Sequence, residues 1–185
     1  MLSDRDLKKA IKDKRLSFSP KLAPGQIGPA SIDLKLSPHF KFFRIDKFSL
    51  VDTRQPLPQH FMDAVILKDD EPFIIHPGNF VLASTKEYVK LGDDVAMKVE
   101  GKSSLARMGI LVHTAGFVDP GFEGTLTLEI SNQSNVAVAL YPNMYICQVA
   151  VYRLSSPAET PYNKRKKSLY LKQKQPTEVR TKNLF

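Results

Sequence analysis

GKSSLARMGILVHTAGFVDPGFEGTLTLEISN, residues 101–132, gathers chemically able side chains and turn-forming glycines into one run. It opens on a Gly-Lys-Ser-Ser turn and passes through an Ala-Gly-x-x-Asp-Pro-Gly loop. It closes with Leu126, Leu128 and Ile130 alternating with Thr125, Thr127, Glu129 and Ser131. A period of two is that of a β-strand with one apolar face, and it fixes Glu129 on the opposite face. A carboxylate on a rigid, partly buried strand can have its pKa raised towards neutrality and serve as general base and acid. Periodicity alone describes equally well a glutamate on the solvated face of an antiparallel sheet. Lys102, Ser103, Ser104 and Arg107 supply hydroxyls and cations at a helix start, the groups that hold phosphate. The spacing is not that of a G-x-x-x-x-G-K-[ST] loop, so an ordinary capped turn is the other reading.

Outward from this stretch the same strand pattern recurs. Ile32, Leu34 and Leu36 alternate with Ser31, Asp33 and Lys35; a further strand is expected over 40–45, and residues 95–100 alternate into Gly101. Residues 72–85 read as two strands around a His-Pro-Gly turn, and 136–141 and 145–154 as two more around Pro142-Asn143. Residues 49–70 show no sustained period and are expected to be a long loop with one short strand near 64–67. Ser3 as N-cap, with Leu7, Ala10 and Ile11 at helical spacing, predicts a short amphipathic helix to about Lys14. Short strands with regular turns imply an all-β barrel or double-sheet roll with a few short helices.

The chain has 185 residues, 42% hydrophobic and 25% charged, enough for one domain with a sizeable core. No apolar run approaches the roughly 20 residues of a membrane span, and the first residues lack the hydrophobic centre of a secretory signal, so a soluble, cytoplasmic protein is expected. A lone cysteine, Cys147, excludes an internal disulfide and a Cys-x-x-Cys metal site. The formal charge is +8, and the tail 155–185 holds eight Lys/Arg against Glu159 and Glu178. Without aromatics interleaved on a folded basic face, the tail fits a flap over a phosphorylated small molecule about as well as a nucleic-acid contact, and a merely solvated tail is the plain alternative.

Five motifs in order, PASIDL (29–34), EGKSSLAR (100–107), TAGFVDPGFEG (114–124), LTLEISN (126–132) and ICQ (146–148), resemble the dCTP deaminase branch of the trimeric dUTPase superfamily. The resemblance runs over nearly the whole chain. It implies a distorted all-β jelly roll of dUTPase-like type over 1–154 with an N-terminal helix, a basic flap over 155–185 closing on the nucleotide, and a homotrimer with shared active sites. The substrate it implies is dCTP or dUTP, with Mg2+ carried on the triphosphate, no zinc, no nucleic acid and no membrane.

By the same resemblance, Glu129 deprotonates a water that attacks cytosine C4, and Ser103 and the carbonyl near Ala115 hold that water. Arg107 supports the glutamate. Lys102, Ser104, Gln148, Tyr162 and Gln173 fall where the family contacts the triphosphate, and Asp119 where it binds the deoxyribose 3′-hydroxyl. Leu105, Ala106, Thr127, Leu128 and Tyr170 complete the implied nucleotide-binding set. Zinc-dependent nucleobase deaminases need a Cys-x-x-Cys that this chain lacks. Deaminases that stop at dUTP carry an arginine where this chain has Phe117, preceded by Gly116, so the resemblance favours coupled deamination and diphosphate release to dUMP. The flap departs from the family at Leu169, where a lysine is usual; Lys167 or Lys172 is expected to replace its charge.

Overall fold

A computed structural model describes residues 1–47, 49–55, 57–58, 60–113 and 116–180. The chain begins with α1 (Asp4–Lys12), capped by Ser3, with Asp4 and Asp6 in its first turn and Lys9 and Lys12 in its last, each sign placed to suit the helix dipole. Leu7 and Ala10 turn into the core. The strands follow as β1 (Leu16–Ser19), β2 (Ile32–Phe43), β3 (Met62–Ile66), β4 (Phe73–Ile75), β5 (Phe80–Leu91) and β6 (Val95–Gly101). After a single-turn helix, α2 (Ser103–Ala106), come β7 (Ile110–His113), β8 (Phe117–Val118), β9 (Glu123–Asn132), β10 (Val138–Leu140) and β11 (Tyr145–Arg153). A 3₁₀ turn spans Tyr162–Lys164.

Hydrogen bonding runs β7-β9-β5-β2-β11-β6-β8, with β1 also on β5 and β3 on β2, while β10 and β4 form a separate pair. Every pairing is antiparallel. The sheet curls so that one face closes on a core containing Leu34, Leu36, Phe40, Leu128, Ile130 and Val149. The mostly β architecture with a few short helices expected from the strand pattern is thus the observed one. In β9, Leu128 lies opposite Ala83 and Ile130 opposite Val81, all buried, which sends Thr127 and Glu129 to the other face. Leu128 is 0% exposed, so Leu128→Ala is expected to cost about 2–5 kcal/mol. A lower denaturant midpoint at unchanged slope would report it.

Three local expectations differ from the structure. The two strands expected around Ser37-Pro38 are one strand, β2, whose register against β5 shifts between Leu36 and Phe40; proline is tolerated there because the ladder is already irregular. The strands flanking His76-Pro77-Gly78 both form but part company, β4 pairing with β10 and β5 with β9. β1, in the proline-rich stretch, was not expected from periodicity and pairs with the far end of β5, Leu16 opposite Leu91.

Candidate active site

Glu129 stands in the middle of β9 with Leu82 of β5 across from it on one side and His113 of β7 on the other. Its face of the sheet floors a cleft of about 620 Å³. Beside the carboxylate the cleft wall is apolar, made by Phe43, Phe61, Met62, Phe80 and Leu82. Phe43 ties that wall together, its ring 5.9 Å from those of both Phe61 and Phe80. Burial among these groups pushes the Glu129 carboxyl above its ordinary value, and a bond to its own backbone N–H pulls only partly the other way.

The tail covers this face. Tyr162 N–H donates to the Pro120 carbonyl at 2.7 Å, and Arg165 pairs with Asp119 at 3.6 Å. Further on, Lys172 N–H donates to the Glu123 carbonyl at 2.6 Å and Thr125 N–H to the Gln173 carbonyl at 2.9 Å. The Gln173 amide donates to the Thr125 carbonyl at 2.7 Å and to Thr127 Oγ1 at 3.2 Å. Lys41 of β2 pairs with Glu178 at 2.8 Å, fastening the distal tail across the sheet. Gln173 Oε1 is buried without a partner among the described residues.

The expected site residues fall into two groups. Glu129, Thr127, Asp119, Gly116, Phe117, Tyr162, Tyr170 and Gln173 all line the cleft. Lys102, Ser103, Ser104, Arg107 and Gln148 do not line it. Ser103, Ser104, Ala106 and Arg107 are exposed on and beside α2, while Leu105, 4% exposed, anchors that helix in the core. Like Leu105, Leu128 has its side chain in the core, so either can offer a ligand only its backbone. Lys102 Nζ bonds Asp33 at 2.7 Å, and Ser31 donates to Gln148 Oε1 at 3.0 Å. Ala115 lies outside the described residues. Of the two lysines expected to replace a charge at Leu169, Lys167 lines the cleft and Lys172 does not; Leu169 itself does.

Sequence reasoning missed the apolar wall and Arg165. The wall comes from β2, β3 and β5 and from Phe61, none near Glu129 in sequence, so no local pattern announces it. Phe117, 63% exposed, stands at the cleft, and the Gly116 carbonyl accepts from Val99 N–H at 2.8 Å. No three His, Cys, Asp or Glu side chains converge as metal ligands would among the described residues. Cys147 is fully buried, which raises its thiol pKa well above the ordinary value. No helix among the described residues is long and apolar enough to cross a membrane.

Residues 1–154 match the family described as dCTP deaminase-like. A protein of Dictyoglomus thermophilum named "dCTP deaminase, dUMP-forming" is 50% identical over 182 residues, spanning 97% of this chain and 94% of its own. One of Thermomicrobium roseum named "dCTP deaminase" is 46% identical over 181 residues, spanning 95% and 91%. Among solved structures, that of 2′-deoxycytidine 5′-triphosphate deaminase from Agrobacterium tumefaciens superimposes with a TM-score of 0.63 at 21% identity, over 81% of this chain and 45% of that one. That last likeness is one of fold. The serine turn, the Asp119 loop and the Glu129 strand all lie within the matched residues, and with relatives this similar along their length the chain belongs to the dCTP deaminase-like family.

Proposed function

We propose that the protein hydrolyses dCTP at cytosine C4 and, with a second water attacking the α-phosphorus, releases diphosphate, giving dUMP. The observation that carries this reading is Glu129, a carboxylate desolvated by an apolar wall and held mid-strand over a cleft of nucleotide size. The name of the Dictyoglomus thermophilum relative supports the dUMP-forming outcome. Glu129 takes a proton from water, and the resulting hydroxide adds to C4. The same carboxyl returns the proton to N3 and then assists departure of the amino group as ammonia, leaving the C4 carbonyl of uracil. Apolar packing keeps competing water away from the carboxylate and strengthens its interaction with the charge developing on the ring.

Ser103, Arg107 and the Ala115 carbonyl are assigned to the attacking water and the glutamate. Lys102, Ser104 and Gln148 are assigned to the phosphates, and Asp119 to the deoxyribose 3′-hydroxyl. α2 and Gln148 do not line the cleft that holds Glu129, and we assign the complete site to a homotrimer in which neighbouring copies bring these residues to it. Mg2+ enters with the triphosphate as part of the substrate. Residues 155–185 act as the flap, closing on nucleotide rather than on nucleic acid. Cytoplasmic residence belongs to the same reading, since deoxynucleoside triphosphates are made and used there.

Incubation with dCTP and Mg2+, followed by separation of products, tests this: dUMP, ammonia and diphosphate are expected. Accumulation of dUTP without dUMP would remove the coupled step, and absence of ammonia would remove deamination. The proton-taking role also sets a pH dependence. Only ionised Glu129 can accept a proton, and burial raises its pKa, so kcat should fall on acidification along a limb centred above the ordinary glutamate value of about 4.3. A pH profile at saturating dCTP checks this, and a limb at or below that value would count against Glu129 as the base.

A further inference from the structure

Beyond Gln173 the tail turns back on itself. Arg180 N–H donates to the Tyr170 hydroxyl at 3.1 Å, and its guanidinium donates to the Leu169 carbonyl and rests 5.7 Å from the centre of the Tyr170 ring. Residues 169–180 thus form a loop whose two ends meet. Pro176 is buried within it, and Thr177 N–H reaches Thr127 Oγ1, on the strand that carries Glu129, at 3.4 Å. Thr177 and Val179 line the cleft. Between them Glu178 meets Lys41 of β2 at 2.8 Å, the two side chains only 33% and 21% exposed. Lys41 stands opposite Leu82 of β5, and Leu82 opposite Glu129 of β9. Partners across a ladder share a face, so Lys41, Leu82 and Glu129 form one row on the cleft side of the sheet. Two strand spacings, about 10 Å, separate the backbone of Lys41 from that of Glu129. An ion pair partly withdrawn from water that loses one member leaves the other charge desolvated and unpaired. Lifting the loop is that charge's way back to water.

From this arrangement we infer that Lys41 and Glu178 are positioning residues for the Glu129 chemistry. Their ion pair is a clasp that seats the 169–180 loop as the outer wall of the cleft, where Thr177 and Val179 keep bulk water from the carboxyl. The inference rests on the dCTP reading for its chemistry, and adds to it a role for the part of the tail past Gln173. Water that reaches the carboxylate stabilises its charge, which weakens it as a base and weakens its pull on charge developing at the ring. The other ionisable groups around Glu129 are Asp119, Arg165, Lys167, Tyr162 and Tyr170 along the cleft, with His113 opposite by register on β7. None of them belongs to the clasp.

The test compares Lys41→Gln, Glu178→Gln and the exchanged pair Lys41→Glu with Glu178→Lys in the full chain. Each single variant is expected to lower kcat on dCTP about tenfold with KM nearly unchanged, and to move the acidic limb of kcat down towards the ordinary glutamate value. Trypsin should also cut faster after Lys174, which is exposed on the loop. The exchanged pair is expected to restore all three. Direction separates the clasp from a mere charge effect. Acting through space alone, loss of the Lys41 cation would raise the Glu129 pKa and loss of the Glu178 anion would lower it, so limbs that move in opposite directions overturn the inference. Parent-like kcat and trypsin resistance in both single variants overturn it as well. Faster cutting in both, beside a parent chain that releases no ammonia from dCTP, overturns the deaminase reading and leaves the clasp standing. Should Lys41→Gln lose its cooperative melt, Lys41→Met, which keeps the packing of the stem, takes its place, and Glu178→Gln, outside every strand, decides by kcat and trypsin cutting.

Discussion

Glu129→Gln is expected to lower kcat on dCTP by about a thousandfold while dCTP affinity changes little. The amide matches the carboxyl in size and keeps its contacts with Leu82 and the apolar wall, but it cannot accept a proton from water, and positioned acid–base groups contribute of that order. Equilibrium binding of dCTP beside single-turnover rates separates the two effects, and a variant that keeps its turnover would remove Glu129 from the chemistry. The same substitution has a second, opposite consequence for stability. Burial raises the folded-state pKa of Glu129 above its unfolded value, so the folded chain binds that proton more tightly. Stability of the parent chain then falls as pH rises from the ordinary carboxylate range to the raised folded value, and levels off beyond it. The Gln variant, neutral throughout, is spared that loss. It should melt above the parent at neutral pH and level with it in acid, where both side chains are uncharged; equal melting temperatures at pH 7 would contradict the desolvation argument.

Gly121→Ala is expected to lower kcat/KM about a hundredfold with a stability cost of only about 1–2 kcal/mol. Gly121 has φ +78°, and a Cβ there would stand 2.8 Å from Pro161 Cβ and 2.9 Å from Asn163 Oδ1. The obstruction falls where the tail first docks, beside the Tyr162–Pro120 bond, and leaves the strands of the sheet untouched. Tyr162, Tyr170 and Gln173 would be carried off the Glu129 face together. Trypsin provides an independent reading, because Lys164, Arg165 and Lys166 are exposed on this segment and should be cut faster once it lifts. Parent-like activity with parent-like trypsin resistance would show that the 120–121 loop does not hold the tail.

Much of the architecture was legible because it follows from local rules. Ser3 caps α1 as its spacing implies, and the alternation through 125–131 faces Leu128 inwards and Glu129 outwards. What could not be read is the environment of that outward face. Alternation says that Glu129 points away from the core, and by itself this means solvent; the face is half-buried because the tail, more than thirty residues later, lies across it. Thr125 is buried for the same reason, under Gln173. That Ser103, Ser104 and Arg107 do not line the cleft is equally beyond local pattern: β7, which follows α2, pairs directly with β9, His113 opposite Glu129, yet α2 leaves those side chains exposed. The pairing of β4 with β10 instead of β5 was hidden because a His-Pro-Gly turn specifies a reversal and not a partner.

Cys147 offers a way to watch the whole sheet open. It lies on β11 between β2 and β6, wholly enclosed, with its thiol kept protonated by its surroundings. A thiol-specific reagent can reach it only when those central strands separate, because neither a lifted tail nor a frayed edge uncovers it. With no other cysteine in the chain, the labelling rate is a one-site clock for global opening, needing no introduced probe. Nucleotide that binds the folded state should slow that clock in proportion to its occupancy, while a substitution that only releases the tail should leave its pace nearly unchanged.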